Sequence, residues 1–313
     1  MFASGVVSGM TPSSEQAALL ALIGALNRGE EWYRTATMVD DARSARRVLD
    51  RDWNGFEPFD VEAAEALAGR VQNEDLDRYE DLIRSLETQG ISLVTVLDDE
   101  YPANLREIYN RPPFLFVRGR MRTDERAVAI VGTRRASDRG RKVASELATE
   151  LSRHDVTVLS GLALGIDGAA HTATLDAGGR TVAVLGTGIL KVYPTEHAEL
   201  AERIVKNGGA LVSQFWPDAP PTRYSFPMRN VVMSGMAMGT VVVEASSTSG
   251  ARMQARLALE HGKQLFLLEE LVLQEEWARR YSERMATTVV RSVEDVLAVL
   301  DRLQRPIEQL TLS

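Results

Sequence analysis

The chain has 313 residues, 44% hydrophobic and 26% charged, a composition typical of a folded globular protein of one or two domains. It has no cysteine, which excludes disulfides and cysteine-ligated metal sites. The net charge of −8 argues against a nucleic-acid binder, but it is unevenly spread: residues 1–90 hold 9 basic and 17 acidic side chains, whereas residues 91–268 hold 21 and 18. A basic surface in the middle segment can therefore still attract phosphate.

No targeting or membrane segment is evident from the residue pattern. The first thirty residues lack a basic start followed by an apolar run, and no stretch approaches the roughly 18 apolar residues of a membrane span. We therefore expect a cytoplasmic protein.

The first segment has a helical pattern. Between residues 14 and 67 the apolar positions form one broad stripe that includes Leu19, Leu22 and Leu26, and no alternating run interrupts it. A second amphipathic pattern predicts a helix over residues 73–86. We expect residues 1–88 to form a small all-helical domain.

From residue 89 the pattern changes to short apolar strands that alternate with helices. The predicted strands are 91–97, 114–117, 127–131, 156–159, 181–185, 210–213, 240–244 and 264–268. The predicted helices are 140–153, 167–177, 198–206 and 251–261, with final helices near 274–284 and 292–303. Apolar strands without polar alternation are typical of a sheet covered on both faces. The sequence thus predicts an α/β fold over 89–313, with a doubly wound, mostly parallel, Rossmann-like sheet.

Two loops that follow predicted strands are rich in glycine. Gly132, Thr133 and Arg134 follow the strand 127–131, where backbone N–H groups at a helix start can hold an anion; we expect Arg134 to contact phosphate. The loop after 156–159 contains Ser160, Gly161 and Gly165. It leads to Asp167, which is a better helix cap than catalytic base, and to His171, which no second histidine accompanies at metal-ligand spacing.

Two further loops belong to the same predicted edge. Gly186 and Gly188 begin like a dinucleotide fingerprint but lack its third glycine, so this signal is weak alone. Glu244 is followed by a hydroxyl-rich loop with Ser249 and Gly250, which can cradle phosphate or ribose as well as cap the next helix.

The segment 226–230 is predicted to be a proline-bounded loop. Phe226, Arg229 and Asn230 suit base stacking and phosphate binding, but Arg229 could equally pair with an acidic side chain inside a packed loop. These loops contain no Ser-His-Asp order and no close carboxylate pair. We therefore predict a binding site with no catalytic residues, no metal and no cofactor.

The ordered set of motifs resembles the DprA/Smf family of DNA-processing proteins. The matching segments are Tyr101-Pro102-Ala103-Asn104-Leu105 with Pro112-Pro113, Val131-Gly132-Thr133-Arg134 with Ser137, Ser160-Gly161-Leu162-Ala163 with Gly165-Ile166-Asp167 and Ala170-His171, Ala183–Gly188 with Tyr193-Pro194, Phe226-Pro227-Met228-Arg229-Asn230, and Val243-Glu244 with Ser249-Gly250. Each is weak singly, but their order is specific, and together they extend over more than half of the chain.

The resemblance implies an extended Rossmann fold, usually dimeric, that holds single-stranded DNA in a basic pocket and passes it to the RecA recombinase during transformation. It implies that Arg134 contacts DNA, that Phe226 and Arg229 line the pocket, and that Gly161, Gly165, Gly186 and Gly188 shape it. Lys263 stands where the family usually has a basic residue.

The chain departs from the family pattern at the same predicted pocket. Leu164 and Val231 replace basic residues, and Leu268-Glu269-Glu270 replaces a Pro-Gly turn and the loop after it. Fewer positive charges weaken phosphate binding.

These departures leave two alternatives open. One is a DprA-like regulator or antitoxin of a phage-defence locus that binds a nucleotide or a toxin protein. The other, ranked lowest, is a nucleotide phosphoribohydrolase, whose Pro-Gly-Gly-x-Gly-Thr run is absent here.

Overall fold

The computed structural model describes residues 12–27, 31–54, 58–123 and 126–304. The chain divides into two compact units, Met1–Tyr101 with Pro112–Leu115, and Pro102–Arg111 with Phe116–Ser313. The predicted domain boundary at residue 88 falls directly after the helix that ends at Glu87, whereas unit 1 continues to Tyr101. The domain boundary therefore stays a prediction. No helix in the described ranges has both the length and the apolar character needed to cross a membrane.

Unit 1 is mainly helical. Its elements are α1 Pro12–Gly24, α2 Trp32–Ala42, α3 Ala45–Leu49, α4 Pro58–Ala68, α5 Asn73–Glu87 and β1 Ile91–Thr95. All residues from 17 to 23 are at most 3% exposed, so α1 is buried on every side. This follows from its sequence, which is apolar all round rather than on one stripe. The predicted helix 73–86 is confirmed as α5.

Glu15 of α1 connects two helices within this unit. Its carboxylate accepts hydrogen bonds from the Ala45 and Arg46 N–H groups, at 2.7 and 3.2 Å, and from the Ser44 hydroxyl at 2.7 Å. A carboxylate is stabilised at a helix N-terminus by the exposed N–H groups and the dipole. The contact therefore fixes the start of α3 against α1.

Unit 2 contains one continuous run of paired strands. They are β2 Phe114–Gly119, β3 Ala127–Val131, β4 Thr157–Ser160, β5 Thr181–Val184, β6 Ala210–Ser213, β7 Gly239–Val242, β8 Gln264–Leu268 and β9 Thr287–Val290. They lie in the order β2-β6-β5-β4-β3-β7-β8-β9. Only β2 pairs antiparallel, against β6, and the other pairs are parallel. The predicted doubly wound, mostly parallel α/β fold is confirmed.

The helices of unit 2 mostly connect these strands. They are α6 Ala103–Arg106, α7 Asp138–Arg153, α8 Ile166–Asp176, the 3-10 turn Thr195–His197, α9 Ala198–Lys206, α10 Ser225–Met236, α11 Gly250–Glu260, α12 Glu269–Gln274, α13 Glu276–Ser282 and α14 Val293–Leu303. Apolar residues of α7, α8 and α14 form one core cluster with β3 and β4. Every residue of β3 to β7 is buried, as expected for strands covered on both faces.

The structure differs from the sequence-based expectations at three places. Residues 226–230 are not a loop but the first turns of α10, because Pro227 sits where a helix needs no N–H donor. The helix predicted near 274–284 is present as α13, but the short helix α12 before it, separated from α13 by the extended Glu275, was not predicted. The strand β9 was not predicted; its four residues Thr-Thr-Val-Val form a short parallel edge strand.

Candidate functional site

A cavity of about 340 Å³ lies where the carboxyl ends of β3 and β7 meet; we call it the site cavity. Parallel strands place the loops that follow them at one edge of the sheet, which is where ligands bind in such folds. The predicted site residues that line it are Gly132, Thr133, Arg134, Phe226, Arg229, Asn230, Ser249 and Gly250.

The mouth of the site cavity carries a cation stacked on aromatic rings. The Arg134 guanidinium lies 4.9 Å from the centroid of the Phe226 ring, and the Tyr193 ring lies 5.8 Å from it. Arg134 is exposed and forms no ion pair with any described residue. These groups and Gly161 surround a smaller recess of about 50 Å³. The arrangement offers a planar surface for a base beside a charge for a phosphate.

Gly186 gives the Phe226 ring its space. A Cβ at Gly186 would lie 2.7 Å from Phe226 Cδ1, closer than carbon atoms approach each other. Any side chain there would move the ring. Gly186 therefore positions the aromatic group without lining the site cavity itself.

Arg229 is held inside the protein. Only 6% of it is exposed, its Nη1 donates to the Val184 carbonyl at 2.8 Å, and its Nε donates to Asn230 Oδ1 at 3.0 Å. A Cβ at Gly161 would lie 1.5 Å from Nη1, so this packing requires glycine at that position. Arg229 thus supports the floor of the site cavity more than it reaches into it.

Asp167 provides the negative charge near Arg229. Its Oδ2 accepts from the Gly161 N–H at 3.0 Å. Burial raises the pKa of the Asp167 carboxyl, while the Arg229 charge and backbone N–H groups oppose this rise; burial also lowers the pKa of Arg229. The structure shows Arg229 hydrogen-bonded to Asn230 and to the Val184 carbonyl, with the Asp167 charge acting on it without an ion pair among the described contacts.

The Glu244 carboxylate is hydrogen-bonded to Ser137 and does not line the site cavity. Its Oε2 accepts from the Ser137 N–H at 3.1 Å and from the Ser137 hydroxyl at 3.0 Å, and a Cβ at Gly140 would lie 2.1 Å from it. The carboxylate therefore occupies the anion position at the N-terminus of α7. Ser249 likewise caps α11, because its hydroxyl accepts from the Ala251 N–H at 3.1 Å.

Three helices begin at the site cavity. Its lining includes Asp167 of α8, Phe226 of α10, and Gly250 and Ala251 of α11. The positive ends of helix dipoles attract anions. The cavity thus has a favourable field for phosphate although the chain as a whole is acidic.

Other predicted residues lie outside the site cavity. Ser160 is fully buried and donates its hydroxyl to the Ile130 carbonyl at 2.7 Å. Gly165 has a positive φ of 81°, and a Cβ there would lie 2.4 Å from the Thr133 carbonyl oxygen. A Cβ at Gly188 would lie 2.1 Å from the Pro217 carbonyl oxygen. These residues shape the loops and do not line the site cavity.

Lys263 lies away from the site cavity. It is 7% exposed, and its Nζ lies 2.5 Å from Glu107 Oε2. It precedes β8, and the residue before a parallel strand lies at the amino edge of the sheet, opposite to the site loops. This placement gives no support to the predicted DNA contact.

The departures from the family pattern have mixed consequences. Leu164 lines the small recess and is 42% exposed, so an apolar group stands at the rim. Glu269 pairs with Arg291 at 2.7 Å and Glu270 with Arg139 at 2.8 Å. The two added carboxylates are therefore neutralised by neighbouring arginines.

Sequence reasoning missed some lining residues. Arg135 lines the site cavity and is exposed beside Arg134. The sequence feature that could have indicated it is the pair of adjacent arginines that follows Gly132. Met233 and Met253 form an apolar part of the cavity wall. Nothing in the sequence pattern distinguishes these two methionines from ordinary core residues of a helix. Flexible methionine side chains suit contact with bases of different shape.

His171 is enclosed in the core of unit 2. It is fully buried, its Nδ1 lies 2.7 Å from Thr181 Oγ1, and its Nε2 has no hydrogen-bond partner. Burial lowers the pKa of His171 to about 3, with the charges of His197 and Arg229 adding to the effect. Across the residues that the structure covers, no group of three or more His, Asp or Glu could hold a metal ion.

The chain is similar to proteins that process DNA. The sequence model of the family DNA recombination-mediator protein A matches residues 92–301. The chain is 37% identical to DNA processing protein DprA of Bacillus subtilis over 204 residues, 64% of this chain and 68% of that protein. It is 41% identical to protein Smf of Escherichia coli over 184 residues, 58% of this chain but only 49% of that protein.

Solved structures show the same fold. DprA from Streptococcus pneumoniae superposes with a TM-score of 0.66 at 28% identity, covering 90% of this chain and 97% of that one. DprA from Helicobacter pylori, described for its single-stranded DNA binding mode, superposes with a TM-score of 0.60 at 24% identity, covering 69% of this chain and 97% of that one.

Proposed function

The chain belongs to the DNA recombination-mediator protein A family, also called DprA/Smf, and we propose that it binds single-stranded DNA in the site cavity without sequence preference. The observation that carries the proposal is the Arg134 guanidinium over the Phe226 ring at the cavity mouth. An aromatic face can stack on any base, and an adjacent arginine can bind the phosphate of the same nucleotide. Together they form the smallest unit of a non-specific single-strand site.

The surroundings support this assignment. Arg134 and Arg135 are both exposed, and neither forms an ion pair with a residue in the described ranges. Arg229 is instead committed to protein groups, so we expect its charge to act through the field and not through direct contact. With two cations available, the salt dependence of binding should be shallow, with a slope of about −1.4 for single strands.

The apolar rim favours bases over extra phosphates. Leu164 and Tyr193 border the recess next to Phe226 and are 42% and 43% exposed. A base that stacks on the aromatic pair buries this apolar surface. We therefore expect modest affinity for single strands. Stacking should supply a larger share of the binding free energy than it would in a site that has a basic residue at position 164.

The proposal is tested by fluorescence anisotropy with labelled oligonucleotides. We expect binding to a single-stranded oligonucleotide of 15 nucleotides, and at least tenfold weaker binding to a duplex of equal length. Unlabelled single strands should compete with the labelled one. Equal affinity for single strand and duplex at low salt would refute it. Binding of a mononucleotide with no binding of oligonucleotides would instead support the nucleotide-ligand alternative.

For the cellular role we propose that the chain delivers single-stranded DNA to a RecA-type recombinase and acts as a homodimer. Its place in the family supports the first part. The edge strand β9 supports the second, because Val289 on it and Met285 before it are 36% and 95% exposed. Sedimentation of the wild type and of Val289→Lys tests dimerisation, and RecA filament assembly on single strands tests delivery.

A further inference from the structure

A second, larger cavity in unit 2 is not used by the proposed function. It is a groove of about 880 Å³ whose floor is α8 and whose walls are α7 on one side and α9 with the preceding 3-10 turn on the other. The floor residues recur at helical spacing: Gly165, Gly168, Ala169, Thr172, Ala173, Asp176 and Ala177. We call it the α8 groove.

Small side chains make the floor deep. Apart from Asp176 at its far end, the floor carries only glycine, alanine and threonine, so the middle helix lies below its neighbours. The His197 ring packs directly on Gly168, where a Cβ would lie 2.6 Å from its Cε1. From position 165 to 177 the floor is about 18 Å long, the length of twelve helical residues.

The two walls differ in charge. The α7 wall presents Arg141 at the start of the groove and Arg153, twelve residues further on, toward its far end; their side chains are 47% and 64% exposed. The facing wall presents Glu196 and Glu199, both exposed. At the far end Arg203 pairs with Asp176 of the floor at 2.8 Å.

We propose that the α8 groove binds an α-helical segment of a partner protein. The segment is about twelve residues long, with small or aliphatic residues on its inner face, an acidic edge toward α7 and a basic edge toward α9. Side chains of one helix pack into the groove between two others, and a floor without large side chains allows close approach. The existing surface pairs of Arg141 and Arg153 on their own helix are weak enough to be exchanged.

The charge balance favours protein over nucleic acid. Three arginines line the groove, but so do Asp176, Glu196 and Glu199. A track for a polyanion is basic along its length, whereas this groove has arginines on the α7 wall and glutamates at the start of the α9 wall, which complements a helix with two differently charged edges. The orientation of the bound helix is then set, because reversing it would bring like charges together.

The test uses three synthetic, hydrocarbon-stapled helical peptides of fourteen residues with an alanine and leucine inner face. One has two Glu on one edge and two Lys on the other; the second has four Glu, and the third four Lys. By fluorescence anisotropy with the full chain, we expect the mixed peptide to bind at least tenfold more tightly than either single-sign peptide. Ala169→Phe, which fills the floor, should abolish this binding.

Paired variants separate the charge effect from folding. The double variant Arg141→Glu with Arg153→Glu should bind the mixed peptide at least tenfold more weakly. Lys142→Glu, next to Arg141 but outside the groove, should leave the affinity for this peptide unchanged within twofold. Thermal unfolding checks that each variant is folded. Equal binding of all three peptides, or no binding of the mixed peptide at millimolar concentration, would overturn the proposal. So would a loss of oligonucleotide binding on Ala169→Phe with peptide binding intact, because the groove would then be a DNA path.

Discussion

Replacing Arg134 by glutamine removes the one exposed cation that lies over the Phe226 ring, 4.9 Å from its centroid. Since Arg134 forms no ion pair in the described part of the chain, the substitution breaks no salt bridge of the free protein. Its effect should therefore fall on ligand binding and leave the free energy of unfolding nearly unchanged.

The loss has two parts. One phosphate contact contributes about 0.7 to the slope of log affinity against log salt, which is about fivefold between 1 M and 0.1 M salt. The cation–π contact, about 0.5–1 kcal/mol, is already made in the free protein, so its loss appears as a small decrease in the free energy of unfolding and not in the affinity. At 0.1 M salt we therefore expect Arg134→Gln to weaken single-strand binding by about fivefold.

The assay is anisotropy of a labelled single strand at four salt concentrations. The matched control is Lys142→Gln, which removes the same charge from an exposed position of α7 outside the site cavity. Its affinity should change less than twofold. If both variants lose affinity equally, long-range charge and not local contact governs binding, and the assignment of the site fails.

Three further predictions address groups whose position only the structure shows. Gly186→Ala should shift the Phe226 ring and weaken single-strand binding about fivefold or more, and an unchanged affinity would contradict the packing argument. Lys263→Met should leave single-strand affinity unchanged within twofold, and a fivefold loss would mean that DNA reaches the amino edge of the sheet. Because His171 stays neutral in the fold with a pKa of about 3 and accepts a proton on unfolding near its ordinary 6.5, the free energy of unfolding falls as pH drops from 6.5 to 3. By pH 4 the wild type should have lost about 3 kcal/mol more than His171→Asn in urea titrations, and parallel pH profiles would refute this.

The proposed site also suits an anionic ligand although the chain as a whole is acidic. Exposed Arg134 and Arg135 lie beside the starts of three helices, so the positive field is local. Glu244 meanwhile satisfies the N-terminus of α7, which would otherwise be a competing anion site. We therefore expect an anionic ligand to bind in the cavity between α8, α10 and α11.

Local patterns were sufficient for most elements. The strands 127–131, 210–213 and 264–268 have the predicted bounds, because strands buried on both faces appear in the sequence as short apolar runs between turns. The edge strand β9 was missed for the same reason: a half-exposed strand of four residues has no such run.

What the sequence determined by itself was the alternation of strands and helices, and with it the edge of the sheet where the glycine loops gather. The tertiary structure decided what each side chain does there. Ser137 meets Glu244 across 107 residues, and Lys263 meets Glu107 across 156. Such contacts depend on how the chain crosses the sheet, so only the folded molecule shows that Arg134 faces the site cavity, that Arg229 is buried beneath it, and that Lys263 lies at the other edge.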